Sequence, residues 1–497
     1  MSNSAAARPL RVAIIGSGPA GVYAADILTK SQEVRGGDVA VSIDLFESYP
    51  APYGLIRYGV APDHPRIKGI VNALHKVLDR GDIRFLGNVT YGRDLTLSDI
   101  RHLYDAVIFS TGAIKDSGLD IPGVELEGSF GGADFVSWYD GHPDVAREWP
   151  LEAKEVAVIG NGNVALDVAR MLSKHADDLL VTEIPDNVYR GLKSSPVTDV
   201  HIFGRRGPAQ VKFTPLELRE LSHSKDVDIV LYPEDFVFDA ASDEAIRTNN
   251  QVKTMVNTLT NWLVEEPSHA QKPASRRLHL HFLHSPVEIT GVDGKVSGMK
   301  FERTELDGSG RARGTGEIVH YPVQAVYRAI GYFGSELPEV GFDATHGVIP
   351  NDAGRVLDAD GKPVPGIYAT GWIKRGPVGL IGSTKGDALE TIGCLLEDRL
   401  SLPRAGKPQE QAIIDLLESR GVQYTSWEGW LKLDAHEAAL GAEYVRADDA
   451  ASLAGDTVGK RPRVKVVPRE DMVSISRGTS PESVLGTSPG TEGCPTI

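Results

Sequence analysis

The chain of 497 residues is long enough for two or three domains, and at 41% hydrophobic and 24% charged it has the make-up of a globular protein with ample core. Its net charge of −16 leaves no basic surplus to neutralise phosphate backbones, which argues against general nucleic-acid binding. The two cysteines, Cys394 and Cys494, supply neither a C-x-x-C redox pair nor the four thiolates of an iron–sulfur cluster, so a disulfide-reductase mechanism and a resident cluster are excluded. No apolar run is long enough to span a bilayer, and the opening M-S-N-S-A-A-A-R-P-L lacks an apolar signal region. A cytoplasmic location without membrane insertion is expected, and no metal site.

Residues 1–9 are expected to be flexible. The apolar run Val12 to Ile15 then leads into Gly16-x-Gly18-Pro19-Ala20-Gly21 and an Ala-rich helix. Strand, tight turn and helix N-terminus in that order form a dinucleotide fingerprint, with the pyrophosphate on the helix dipole. The second strand, Val41 to Phe46, ends at Glu47, placed for the ribose hydroxyls of an adenine dinucleotide.

From Glu47 to Pro65 the chain reads E-S-Y-P-A-P-Y-G-L-I-R-Y-G-V-A-P-D-H-P. Prolines fix φ and restrict their predecessors, so a rigidly bent loop is expected here, neither helix nor strand. A helix should follow from Arg66 to about Arg80, then short strands at Ile83–Leu86 and Val89–Tyr91. The buried strand within Asp105–Gly112 closes the first unit, with a boundary near Ala113. Residues 120–150 read as a crossover.

A second fingerprint follows, V-A-V-I-G-N-G-N-V-A-L-D-V-A-R, with Gly160, Gly162 and Ala165 in the three small-residue places. The next strand, Asp199 to Phe203, runs into Gly204-Arg205-Arg206-Gly207 where an NAD enzyme would carry an acid. Two guanidiniums there suit a 2′-phosphate, so NADP(H) is expected over NAD(H). Residues 173–198 read as an insertion, and Leu216–Leu221 as a helix with Glu217 and Glu220 on one side. Tyr321 to Gly331 echoes the strand at Asp105–Gly112, after which the chain returns to its first domain.

The stretch G-I-Y-A-T-G-W-I-K-R-G-P-V-G-L-I-G-S-T-K-G from 366 takes a strand into a helix beginning near Ser383. Helix-start N–H groups could face an electron-rich part of a flavin, and Gly379 would let a nicotinamide ring approach. Helices continue to about 440. Arg461 to Val467 is expected as an edge strand or extended arm, and the Ser/Gly/Pro/Thr-rich tail as disordered, from 473 on.

These strings together resemble the adrenodoxin reductase-like ferredoxin–NADP⁺ reductases, members of the larger glutathione-reductase-type flavoproteins. The match runs from about residue 9 to 472 and rests on G-S-G-P-A-G at 16, P-Y-G-L-I-R-Y-G-V-A-P-D-H-P at 52, G-N-V-A-L-D-V-A-R at 162, G-R-R-G-P at 204 and G-W-I-K-R-G-P-V-G at 371. The resemblance implies an α/β fold of two Rossmann-like dinucleotide-binding domains: FAD on 10–113 with 322–472, and NADP on an inserted 114–321. It implies FAD contacts at Gly16, Gly18, Pro19, Ala20, Gly21, Glu47, Leu55, Tyr91 (through its backbone), Trp372, Gly379, Leu380 and Ile381. NADP contacts are implied at Asn161, Gly162, Asn163, Val164, Arg205, Arg206, Glu217 and Gly379.

The implied activity takes hydride from NADPH to FAD and passes single electrons to a small acidic ferredoxin, an iron–sulfur protein that in turn serves cytochromes P450. No side-chain nucleophile is needed. His64 is the expected polar residue of the active site, holding the carboxamide or relaying a proton, with Glu220 and Asp167 as companions. The alternative is a histidine that satisfies backbone groups of the loop. Arg57, Lys374 and Arg375 are expected to dock the acidic partner. Rival expectations are a generic NADPH diaphorase or flavin monooxygenase, and a flavin-binding module that senses NADPH.

Overall fold

The computed structural model describes residues 8–264, 273–379, 381–443 and 461–479. Its two large sheets are both built on a fingerprint strand. The first has seven strands in the order Asn351–Asp352, Arg355–Leu357, Pro363–Ala369, Ala106–Phe109, Leu10–Ile15, Val41–Phe46 and Ile83–Leu86. The run from Pro363–Ala369 to Ile83–Leu86 is parallel. Leu10–Ile15 lies inside it and is buried along its whole length, as a continuous apolar strand should be in a parallel sheet.

The second sheet has six parallel strands, in the order Ser129–Gly131, Ala325–Arg328, Glu155–Ile159, Asp199–Phe203, Arg276–His281 and Val227–Leu231. An antiparallel meander, His284–Val292, Lys295–Leu306 and Ala312–Tyr321, covers one of its faces. Val200 and Ile202 pack with Leu166 and Val168 of the fingerprint helix Asn163–Ser173, while Phe203 packs with Phe301 beneath the meander. Alternation of side chains along one strand thus divides the core into two layers. The echo expected at Tyr321–Gly331 is the strand Ala325–Arg328.

Several local expectations are corrected. The Pro-rich loop is not free of helix: Leu55–Tyr58 makes one turn, entered through Tyr53 at φ 84° and Gly54 at φ 51°. The helix after it is two pieces, Pro65–Lys68 and Val71–Leu78, parted at Gly69. Val89–Tyr91 is no strand; Tyr91 makes only an isolated bridge to Leu95. The stretch 120–150 contains an edge strand and the helix Gly132–Tyr139.

The expected disorder from 473 is also corrected. The helix Arg469–Arg477 buries Met472, Val473 and Ser476 against the helix Trp427–Glu443, and Gly429 lets it come close: a Cβ there would lie 2.9 Å from the Ser476 carbonyl oxygen. Ser, Gly and Pro were concentrated beyond it, in 480–497, which lie outside the described residues. At the other end Arg8 is tied by two 2.7 Å bonds to Asp105.

The segment Arg461–Val467 is an extended arm and joins no sheet. Its Lys465 is buried between the two units. The ammonium donates to the Arg57 carbonyl at 2.6 Å, the Asp140 carbonyl at 3.0 Å and the Glu183 carboxylate at 2.8 Å. Lys68 meets Glu183 at 2.7 Å and Asp140 at 3.3 Å, closing a cluster of two ammoniums and two carboxylates. Removing one member would leave a buried charge uncompensated. This cluster pins the carbonyl end of the Leu55–Tyr58 turn, and with it the loop that bears His64.

Candidate active site

The first fingerprint is built as its glycines require. Gly16 has φ +107°, and a Cβ on it would lie 2.5 Å from the Ser110 carbonyl oxygen; a Cβ on Gly21 would lie 2.0 Å from the Gly16 carbonyl oxygen. Gly18 caps the helix Pro19–Lys30, with Pro19 and Ala20 in its first turn. Glu47 follows the second strand and is 6% exposed. Its carboxylate accepts from the Ser17 N–H at 3.0 Å and the Ser17 hydroxyl at 2.8 Å, which holds it at the mouth of the turn. The Pro-rich loop folds back over this turn, its Tyr53 N–H donating to the Ser17 carbonyl at 3.1 Å. Leu55 is half-buried in that loop.

Opposite lies the segment after Pro363–Ala369. Gly371 has φ +73°, and a Cβ on it would come within 2.6 Å of the Ala20 Cβ, so the two segments are in van der Waals contact. Half-buried Trp372 opens the turn Trp372–Arg375 and faces Tyr332, ring centroids 6.4 Å apart. Gly379 has φ +85° and is exposed. The helix Ile381–Asp398 starts just beyond; Leu380 lies outside the described residues. Gly382 and Gly386 have open space where a Cβ would stand. Tyr91 donates its hydroxyl to the Pro338 carbonyl at 2.7 Å, and its ring meets Phe109 edge-on at 5.1 Å.

The second fingerprint repeats the design. Gly160 has φ +141°, and a Cβ on it would lie 2.2 Å from the Ala329 carbonyl oxygen. Asn161 accepts from the Lys212 N–H at 2.9 Å through its carbonyl, and Asn163 from the Thr214 N–H at 2.9 Å through its side chain. Gly162 caps the helix whose first turn holds Asn163 and Val164. Arg205 is exposed and Arg206 half-buried, and neither makes an ion pair among the described residues. Their turn is tied down by its backbone: the Thr304 hydroxyl donates to the Arg205 carbonyl at 2.8 Å.

The two units meet at His64. The ring Nε2 lies 2.9 Å from Asp167 Oδ1 and 2.7 Å from Arg170 Nη2, and both partners stand on the second fingerprint helix. Arg170 also bonds Asp167 at 2.9 Å and grips Asp63, the residue before His64, at 2.8 and 2.9 Å. Lys174 adds a 2.8 Å contact to Asp63. Burial opposes ionisation of Asp63, but Arg170 and Lys174 outweigh it and hold the carboxyl well below the usual range. One ring nitrogen therefore faces a permanent donor and a permanent acceptor. With a proton on Nε2 it donates to Asp167; with the proton on Nδ1, Nε2 accepts from Arg170. His64 is 5% exposed and its proton position is set by these two neighbours.

Two expected companions separate here. Asp167 is in place. Glu220 is half-buried, and its carboxylate lies 3.5 Å from His223. Glu217, one turn earlier, is the buried one; desolvation raises its pKa, and the charges of His64, Asp167 and Arg170 act on it. At i, i+3 the two glutamates share a side of the helix only broadly, and packing decided which is buried. Glu217 Oε2, Arg170 Nη1 and the Tyr139 hydroxyl are buried without a hydrogen-bond partner among the described residues. An acceptor and two donors around His64 fit a carboxamide, which offers one of each kind.

Sequence reasoning missed Arg170 and Asp63, although A-L-D-V-A-R places Arg170 one helical turn after Asp167. Of the cations expected to dock a partner, Arg57 and Lys374 are buried and Arg375 is half-buried. Arg57 is 5% exposed and bidentate to Glu437, while Lys374 pairs with Glu390 and Arg375 with Asp387. Each already has an internal carboxylate.

Two fingerprint sheets that converge on one polar cluster define a two-dinucleotide oxidoreductase. Residues 10–199 match the family described as pyridine nucleotide-disulphide oxidoreductase. The chain is 38% identical over 483 residues to the NADPH-ferredoxin reductase FprA of Mycobacterium tuberculosis, covering 95% of this chain and 100% of that one. It is 36% identical over 488 residues to the mitochondrial NADPH:adrenodoxin oxidoreductase of Arabidopsis thaliana (95% and 97%), and 37% identical over 478 residues to that of Homo sapiens (94% and 91%). The solved structure of Mycobacterium tuberculosis FprA in complex with NADPH superposes with a TM-score of 0.85 at 37% identity, covering 95% of this chain and 100% of that one. The chain belongs to the NADPH:adrenodoxin oxidoreductase and NADPH-ferredoxin reductase family. No helix among the described residues is long and apolar enough to cross a membrane.

Proposed function

We propose that this chain is an FAD-dependent NADPH–ferredoxin reductase, carrying electrons from NADPH to a small acidic iron–sulfur protein and through it to acceptors such as cytochromes P450. The observation that carries this reading is the meeting of His64, from the loop after the first fingerprint, with Asp167 and Arg170 from the helix of the second. FAD is assigned to 10–113 and 322–472, extended here to 477 by the last helix, and NADP to 114–321. The cytoplasmic location belongs to the same proposal; the Arabidopsis and human relatives carry "mitochondrial" in their names.

When bound, the flavin exchanges electrons in pairs with a nicotinamide and singly with an iron–sulfur centre. The chain supplies position and electrostatics. Glu47 accepts from ribose hydroxyls, and the N-terminus of Pro19–Lys30 takes the pyrophosphate. Arg205 and Arg206 grip the 2′-phosphate. Gly379 and the glycine-lined start of Ile381–Asp398 leave room for stacked rings. Glu217, Arg170 and Tyr139 hold the carboxamide, and His64 holds or moves a proton beside it, steered by Asp167 and Arg170.

The test is cytochrome c reduction by the flavin-loaded enzyme under NADPH or NADH, with and without a small ferredoxin. A strong NADPH preference with a ferredoxin-dependent rate is expected. Reduction indifferent to ferredoxin would leave a generic diaphorase.

A further inference from the structure

The meander-covered face of the six-stranded sheet carries a histidine patch that electron transfer does not use. His201 stands on Asp199–Phe203, and His279 and His281 on the neighbouring Arg276–His281. The strands are parallel with His201 opposite His279 and Phe203 opposite His281. Residues two apart on a strand share a face, so all three rings gather on one side. They are 8%, 7% and 2% exposed. The His201 and His279 rings stack with centroids 4.2 Å apart, and His201 Nδ1 lies 3.0 Å from His281 Nε2. Each can bring a ring nitrogen within 4.8 Å of the other two.

For one of the three rings the surroundings already supply the partner that a metal-binding histidine carries behind it. A ligating imidazole donates its far N–H to a carboxylate or carbonyl, which fixes its tautomer. Asp199 Oδ1 lies 2.9 Å from His279 Nε2, leaving Nδ1 with the lone pair. Glu155 Oε2 stands 4.0 Å from His201 Nε2, on the far side of that ring from His281. Burial depresses the pKa of all three, His201 to about 3, so the rings are neutral at pH 7. A second group, Asp235 with His281 and His284, is less suited: Asp235 already pairs with Arg303 at 2.5 Å, and His284 Nδ1 donates to the Phe282 carbonyl at 2.6 Å.

We propose that His201 Nδ1, His279 Nδ1 and His281 Nε2 bind a borderline transition-metal dication of the zinc class, the type that imidazole ligands favour. On binding, the proton between His201 and His281 moves to His201 Nε2, facing Glu155. Tyr232, whose hydroxyl now lies 2.9 Å from His279 Nδ1, turns aside. His201 and His281 rotate about Cβ–Cγ to converge on the metal, while Asp199 holds the His279 ring in place. Three neutral imidazoles remain, so no proton leaves. The metal would clamp the strand that runs into the Arg205–Arg206 turn to its neighbour, whose His281 carbonyl already accepts from the Gly204 N–H at 2.9 Å.

The experiment uses the untagged, flavin-loaded full chain, stripped with a chelator and titrated with Co²⁺ and then Zn²⁺. One equivalent of Co²⁺ should give tetrahedral visible bands that Zn²⁺ abolishes, with a raised Tm. His201→Phe and His281→Phe keep the stack but lose a ligand; each should weaken binding about tenfold or more with the flavin spectrum unchanged. If either variant fails to fold, zinc K-edge absorption of the wild type decides, since three imidazole ligands are required. Absence of stoichiometric uptake, equal uptake by the variants, or a zinc shell without imidazoles would each overturn the site.

Discussion

His64 and Asp167, 103 residues apart in the chain, approach to 2.9 Å, and with the Arg170–Asp63 pair this contact joins the loop of the first dinucleotide unit to the helix of the second. Arg170 shares the same ring nitrogen at 2.7 Å, so the histidine cannot satisfy both neighbours in one tautomer.

Replacing His64 by Ala should slow flavin reduction by NADPH by about 10²-fold, the usual scale for a positioned proton donor or acceptor, while FAD stays bound. Stopped-flow reduction measures it; an unchanged rate would remove His64 from the mechanism. Arg170→Met should slow that same step, and Arg170→Lys, which keeps a donor at the ring nitrogen, should recover part of the rate. Equal rates for the two variants would reduce Arg170 to a packing role.

For cofactor choice, the informative variant is Arg205→Ala with Arg206→Ala. Hydrogen bonds to charged groups contribute about 1.5–3 kcal/mol, so KM for NADPH should rise at least about tenfold, with KM for NADH barely moved. Equal changes for both nucleotides would sink the 2′-phosphate assignment.

Arg57 tests the corrected role of a residue first expected at the partner surface. Its bidentate pair with Glu437 is buried, and breaking such a pair costs about 3–5 kcal/mol. Arg57→Met should therefore lower the denaturant midpoint sharply and leave the salt dependence of ferredoxin turnover intact. Unchanged stability with a flattened salt dependence would restore the docking role.

Acid should loosen the joint between the units. The folded-state pKa of Asp63 is depressed below its unfolded value, so its stabilisation is present above the ordinary carboxylate range and lost as pH falls below it. Asp63→Asn should lower stability at pH 7 and flatten the decline between about pH 5 and 2. Thermal unfolding across that range checks it, and parallel curves for the two proteins would exclude Asp63 as a contributor.

Residue type at short, fixed spacings was enough for the two fingerprints, the Arg205–Arg206 turn and the family: glycine where a Cβ would strike a carbonyl oxygen, guanidinium where an acid would otherwise sit. Tertiary structure decided which charged groups face the site. Glu217 was buried while Glu220 stayed half-exposed, Arg170 joined His64, and Arg57 was buried by Glu437, a partner 380 residues away. Nothing local encodes these outcomes, since a carboxylate or guanidinium can be solvated or buried equally well until a distant element supplies its counter-charge. The last helix is the same case: residues 473–477 are polar enough to read as tail, and only the distant helix Trp427–Glu443, with Trp430 and Leu433, covers Met472, while its Gly429 lets Ser476 come close.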